Sequence, residues 1–191
     1  MNHNGVIPRP VEVMQGKAAL QPERGTAMTT TRGVLQILSA PSPMCPHVEW
    51  AVGGAFGAPV SLDWKPQPAE RASYRAEFTW SGPVGTATRL ASALKRWPRI
   101  RFEVTEHATD ASEGERYSYT PTLGVFHATM GLHGDIVVPE DRIRHAMLGA
   151  RDERSLRDAL DDLLGAPWDA ELDVFRHAAD GEPVRWITAV G

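Results

Sequence analysis

From Gly33 onward the apolar positions recur with regular periods. GVLQILSA (33–40) is a near-continuous apolar run of strand length, and PSPMCP then ends it and opens a helix with Pro46 in the first turn. In that helix Val48, Ala51, Val52, Ala55 and Phe56 share one side, and Gly57 supplies a stop. VSLDW (60–64) alternates with Val60, Leu62 and Trp64 on one face, and YRAEFTW (74–80) alternates with Tyr74, Ala76, Phe78 and Trp80. The polar, proline-bearing KPQPAERAS connects these two predicted strands. Ala87, Leu90, Ala91, Leu94 and Trp97 return to helical spacing, with Pro98 closing the helix. RIRFEVTE alternates again, with Ile100, Phe102 and Val104 inward and Arg99, Arg101 and Glu103 outward.

Strand, helix, strand, strand, helix, strand over residues 33 to 106 predicts the split βαβ order of a ferredoxin-like sandwich with both helices on one face. The other face then carries Ser61, Asp63, Arg75, Glu77, Arg99, Arg101 and Glu103, a polar surface either wet or covered by polar contacts. Beyond the acidic loop HATDASEGE, the segments ERYSYTP, LGVFHATM and GDIVVP predict short strands joined by tight turns. PEDRIRHAMLGA, SLRDALDDLLG and APWDAELDVFRHA predict three helices, with Ser155 and Asp158 as a capping box and Pro167 in a first turn. PVRWITAV ends the chain as a strand. The class is α+β, a ferredoxin-like half (28–108) continuing into a hairpin and helices (109–191). The apolar helix faces of the second half need the first to cover, so one domain is expected. Residues 1–27 show neither period and read as a disordered extension, for which Met28 offers an alternative start.

The chain has 191 residues, 42% of them hydrophobic, which suffices for a core. A net charge of −4 and a pI near 6.0 do not advertise nucleic-acid binding. The strand aromatics also share the parity of the apolar positions, so they face a core rather than bases, and no RNP1 pattern occurs. One cysteine, no signal-peptide layout and no membrane-length apolar run point to the cytoplasm. An open polar face and a free sheet edge leave room for pairing as a homodimer.

Cys45 is the sharpest single candidate. A thiol at a helix start feels unpaired N–H groups and the helix dipole, which favour thiolate and suit a nucleophile. Pro46 removes one of those donors, and His47 two residues on lies on a different side of a helix, so a small packing residue is the competing reading. His127 and His133 flank a predicted turn, could meet across it, and are the candidate bases. His47-Val48-Glu49 resembles half of a zinc-deaminase signature, but P-C-x-x-C is absent. The histidines at 107, 127, 133, 145 and 177 have no paired ligand spacing, so no metal is expected. G-x-G-x-x-G, G-x-x-x-x-G-K-[ST] and G-x-S-x-G are all missing, and no cofactor is expected.

Charge is distributed unevenly. Arg89, Lys95, Arg96, Arg99 and Arg101 are the only charged residues between 83 and 102, whereas 151–173 holds eight acids against three arginines. Such blocks either steer a partner of opposite sign or pair with each other inside the molecule.

RGVLQILSAPSPMCPHVEW, PVSLDW, YRAEFTW, RFEVTE, GERYSYTPTLGVFHATMGLHGDIVVPEDR and PVRW reach from Arg32 to the C-terminus. In these strings the chain resembles the uncharacterised actinobacterial family catalogued as domain of unknown function 3145. That resemblance brings no activity, cofactor or catalytic residue. It implies a link to type II fatty-acid synthesis, and acyl carrier protein, which is acidic, would suit the basic cluster. The leading expectation is therefore a non-catalytic accessory or regulatory binding protein. The alternatives are an enzyme acting on an acyl thioester or thiol through Cys45, and a small-ligand sensor using the PSPMCP loop or the GLHGD turn to hold an anion.

Overall fold

The computed structural model describes residues 29–178. The expected N-terminal extension and the strand expected in PVRWITAV lie outside them. The elements are β1 (Thr30–Pro41), a 3₁₀ turn (Ser42–Met44), α1 (Cys45–Phe56), β2 (Lys65–Pro66), β3 (Ser73–Pro83), α2 (Thr86–Leu94) and β4 (Arg101–Glu106). There follow β5 (Gly114–Thr120), β6 (Gly124–Met130), β7 (Ile136–Val137), α3 (Glu140–Gly149), α4 (Glu153–Leu164) and α5 (Ala166–His177). All seven strands form one antiparallel sheet in the order β2-β3-β1-β4-β5-β6-β7, so the class is α+β. Both edge strands in this sheet are two residues long, which offers little ladder to a second sheet.

Strand alternation sorts side chains between the two faces. On one face Leu35, Ile37, Ala76, Trp80, Phe102, Val104 and Tyr119 meet Val48, Ala51 and Val52 of α1 and Ala87, Leu90, Ala91 and Leu94 of α2. Gly33 lets β1 cross this core: a Cβ there would stand 2.0 Å from the Thr105 carbonyl oxygen and 2.2 Å from the Trp80 ring. Gly57, with φ of 71°, ends α1 in the left-handed conformation expected of a helix-stopping glycine.

Two expectations need correction. VSLDW forms no strand: the Leu62 N–H (2.8 Å) and Trp64 Nε1–H (3.1 Å) both donate to Glu49 Oε1, which ties the segment to α1, and sheet pairing begins only at Lys65. The α4 cap lies one turn earlier than Ser155. Asp152 is the N-cap and Ser155 is the third helical residue, completing a reciprocal box.

α5 covers the other face. Glu103, 7% exposed, accepts from Arg176 Nε (2.8 Å), Arg176 Nη2 (2.7 Å), Arg116 Nη2 (3.0 Å) and the Ser118 hydroxyl (3.0 Å). Asp169 accepts from the same two arginines, at 2.5 Å and 2.7 Å. Gln67, also buried, donates to the carbonyls of Leu38 (2.6 Å) and Phe175 (3.1 Å), while Trp168 Nε1 donates to the Gly124 carbonyl (3.0 Å). Leu172 is wholly buried. α3 and α4 bury no residue completely, so α5 alone of the three late helices builds the sheet's second layer.

Burial pushes the Glu103 carboxyl up, but hydrogen bonds and charge from Arg176 and then Arg116 outweigh it and hold the group below the usual glutamate range. Asp169 is held down by the same arginines against its own burial. Between the lowered folded values and the ordinary ones the unfolded chain binds more protons, so stability is lost as pH falls through the folded values. Chemical denaturation should show stability declining below about pH 5. Glu103→Gln should cost about 3 kcal/mol at neutral pH by removing the buried charge that two arginines share and leaving Asp169 alone to balance both, and should flatten that acid dependence.

Candidate docking surface and the sites around it

α2 buries Ala87, Leu90, Ala91 and Leu94, leaving Arg89 outside, where it donates to the Thr86 hydroxyl (2.7 Å). Past its end the chain winds with three-residue spacing: Trp97 N–H bonds the Leu94 carbonyl (3.0 Å) and Ile100 N–H bonds that of Trp97 (3.4 Å). Leu94 and Ile100 are fully buried and Trp97 is half-buried against His47, with ring centroids 5.2 Å apart. That spacing forces the intervening Lys95, Arg96 and Arg99 outward. Among the described residues, Arg89, Lys95, Arg96 and Arg99 meet no carboxylate.

Arg101 behaves differently. Its side chain lies on the α5 face, 3.3 Å from Glu70, 3.6 Å from Glu171 and 4.4 Å above the Phe175 ring centre. Of the five cations grouped by sequence, this one is engaged within the molecule. The acidic stretch is partly spent in the same way: Asp169 and Glu171 pair with strand arginines, and Glu153 pairs with Arg157. Internal pairing between the two charge blocks thus reduces to Arg101 and Glu171.

The basic ridge runs into a cleft of about 430 Å³ bounded by Pro41–Ser42–Pro43, Glu70–Ser73 and Pro98–Arg101. Arg71 joins Arg99 and Arg101 there and also has no carboxylate partner among the described residues. Ala72 sits at φ 58°, a left-handed conformation costing an alanine about 1 kcal/mol, and its carbonyl accepts from the Ser42 N–H (3.1 Å). Sequence reasoning missed Arg71, because it lies in an aperiodic linker and only the fold sets it beside Arg99.

The thiol and its candidate bases stay apart. Cys45 is the first residue of α1, half-buried, with Sγ 3.9 Å from the Pro41 carbonyl. Burial raises its pKa above the ordinary value, a backbone hydrogen bond opposes this, and the Glu49 charge adds to the rise. His127 lies on β6, three strand spacings or about 14 Å across the sheet from β1. Its Nε2 is 2.5 Å from Glu115 Oε2, and its ring stacks on Tyr117 at 4.6 Å. The Tyr117 hydroxyl donates to the same carboxylate oxygen (2.9 Å) and shares a hydrogen bond with Thr88 (2.9 Å). Burial, and then the Glu115 carboxylate, push the Tyr117 phenol up. With Thr129 opposite Val137 and Met130 opposite Ile136, His133 is left in the exposed turn, so the two histidines do not meet. No group of three or more histidine, cysteine, aspartate or glutamate side chains suited to a metal occurs among the described residues, and no helix among them is long and apolar enough to cross a membrane.

The model of the family described as "Protein of unknown function (DUF3145)" matches residues 34–189, and the chain belongs to that family. Neither a curated protein nor a solved structure matches it.

A half-buried thiol with a raised pKa should be a poor nucleophile at neutral pH. Iodoacetamide at pH 7 should alkylate Cys45 in the native protein about tenfold more slowly than in the unfolded chain. An equal or faster native rate would contradict this description of the thiol.

Proposed function

We propose that this member of the DUF3145 family is a non-catalytic accessory or regulatory protein that docks an acidic partner on its basic ridge. The carrying observation is the ridge itself: four exposed cations, Arg89 on α2 and Lys95, Arg96 and Arg99 just past its end, without carboxylate partners among the described residues. Uncompensated charge of one sign steers a partner of the other, and the half-buried Trp97 within the ridge supplies the kind of aromatic anchor that interfaces favour. Acyl carrier protein, or another protein of type II fatty-acid synthesis, is the partner that the family resemblance implies. The setting proposed is the cytoplasm, with no cofactor.

One observation favours a second reading. The cleft beside the PSPMCP loop, where Arg71 and Arg99 have no carboxylate partner among the described residues, suits a small anionic ligand and hence a sensor. The thiol-enzyme alternative draws no comparable support, since Cys45 and the two histidines lie on separate elements.

The test is a pull-down from native lysate at low and high salt, with partners identified by mass spectrometry. Wild-type protein should recover acyl carrier protein or a fatty-acid synthesis enzyme in a salt-sensitive manner. The double variant Arg96→Glu with Arg99→Glu should lose that recovery while keeping its melting temperature. Recovery undiminished in the double variant would overturn the ridge as the docking surface.

A further inference from the structure

A groove of about 350 Å³ opens on the α5 side of the sheet, away from the ridge, between β1, β3, β2 and the end of α5. Two local anomalies meet in it. Arg75 has its Nε buried with no acceptor, and no carboxylate lies within ion-pair distance of its guanidinium among the described residues. A buried donor left unmade costs about 1–3 kcal/mol. Directly opposite Arg75 on the neighbouring strand stands Lys65, and like charges in that register repel. Lys65 has Asp63 at 3.4 Å, in an exposed pair that solvent screens. Nothing comparable compensates Arg75.

The other polar groups of the groove are already committed. Arg176, on the rim, is paired through Nε and Nη2 with Glu103 and Asp169, and Glu77 accepts from Gln36 Nε2 (3.2 Å). Leu38 and Phe175 supply apolar wall. A volume of this size matches the lower range of small-molecule sites, and a guanidinium with free donors matches the geometry of a carboxylate or phosphate. We propose that this groove binds a small organic oxyanion, a carboxylate or a phosphate ester. Arg75 and Lys65 hold its charge, and its apolar body rests against Leu38 and Phe175. One ligand, held through the terminal guanidinium nitrogens, would supply the counter-charge that Arg75 lacks and relieve the repulsion between the two strands. The site is independent of the docking surface and would stand if that proposal failed.

The full-length protein, labelled with ¹⁵N-arginine, is titrated with inorganic phosphate and separately with benzoate while the Nε–Hε resonances are followed by NMR. The Arg75 resonance is identified by its absence in Arg75→Gln. It should shift saturably with at least one probe: phosphate alone would assign a phosphate ester, benzoate alone a carboxylate with an apolar body. Arg75→Gln should weaken binding about tenfold or more, as expected for losing a charged hydrogen-bond partner. Should that variant not fold, the exposed Lys65→Gln should weaken binding in the same direction. An Arg75 resonance insensitive to both probes, because the cation is satisfied within the chain or because the groove is closed, would overturn the proposal. So would affinity unchanged by the substitutions.

Discussion

A carboxylate on the middle of a β-sheet, buried to within a few per cent, must find cations or lose its charge, and Glu103 finds two. Arg116 comes from the adjacent strand and Arg176 from α5, and Asp169, one turn into that helix, closes a four-membered ring of charge. The position and direction of α5 follow from that ring. Gln67, Trp168 and the Arg101–Phe175 contact then fix the helix along its length. A sheet face that alternation alone would leave wet becomes an internal layer held largely by polar contacts, beside the apolar core under α1 and α2.

The ring also explains how cations are distributed. The arginines between the sheet and α5, 101 and 116 on strands and 176 on α5 itself, are consumed by acids of the sheet, the 67–73 turn and α5. Those placed by the three-residue spacing of Leu94, Trp97 and Ile100 have no helix over them and stay in solvent. Arg75 fits neither group: it is on the covered face, but beyond the reach of the acids of α5, and it lines an open groove instead. Function is therefore sought where charge is left over, at the ridge with its adjoining cleft and at the Arg75 groove.

Much of the first half was legible because its signals are local. The apolar runs of β1, β3 and β4, the helical spacing of α1 and α2 and the glycine stop at residue 57 each specify their element without outside help. VSLDW misled because an alternating segment can satisfy its donors through a side chain, here Glu49, as readily as through a neighbouring strand. The polarity of Glu103 and Arg101 was plain, whereas their partners lie about seventy residues on, in a helix whose docking no local pattern records. The basic ridge was readable as a run of like charge. That Arg101 leaves it, that Arg71 joins it and that Arg75 stands alone are consequences of tertiary structure. The separation of Cys45 from His127 is likewise set by strand order, to which sequence spacing is blind.

Two arginine populations coexist, one paired between the sheet and α5 and one exposed without carboxylate partners among the described residues. Thermal unfolding of Arg176→Gln and Arg96→Gln, measured side by side in low salt, tests this division directly. Arg176→Gln should melt several degrees lower, whereas Arg96→Gln should melt at or slightly above the wild-type temperature because it relieves repulsion along the ridge. Equal destabilisation by both would mean that the ridge is paired within the chain and that the two populations are one.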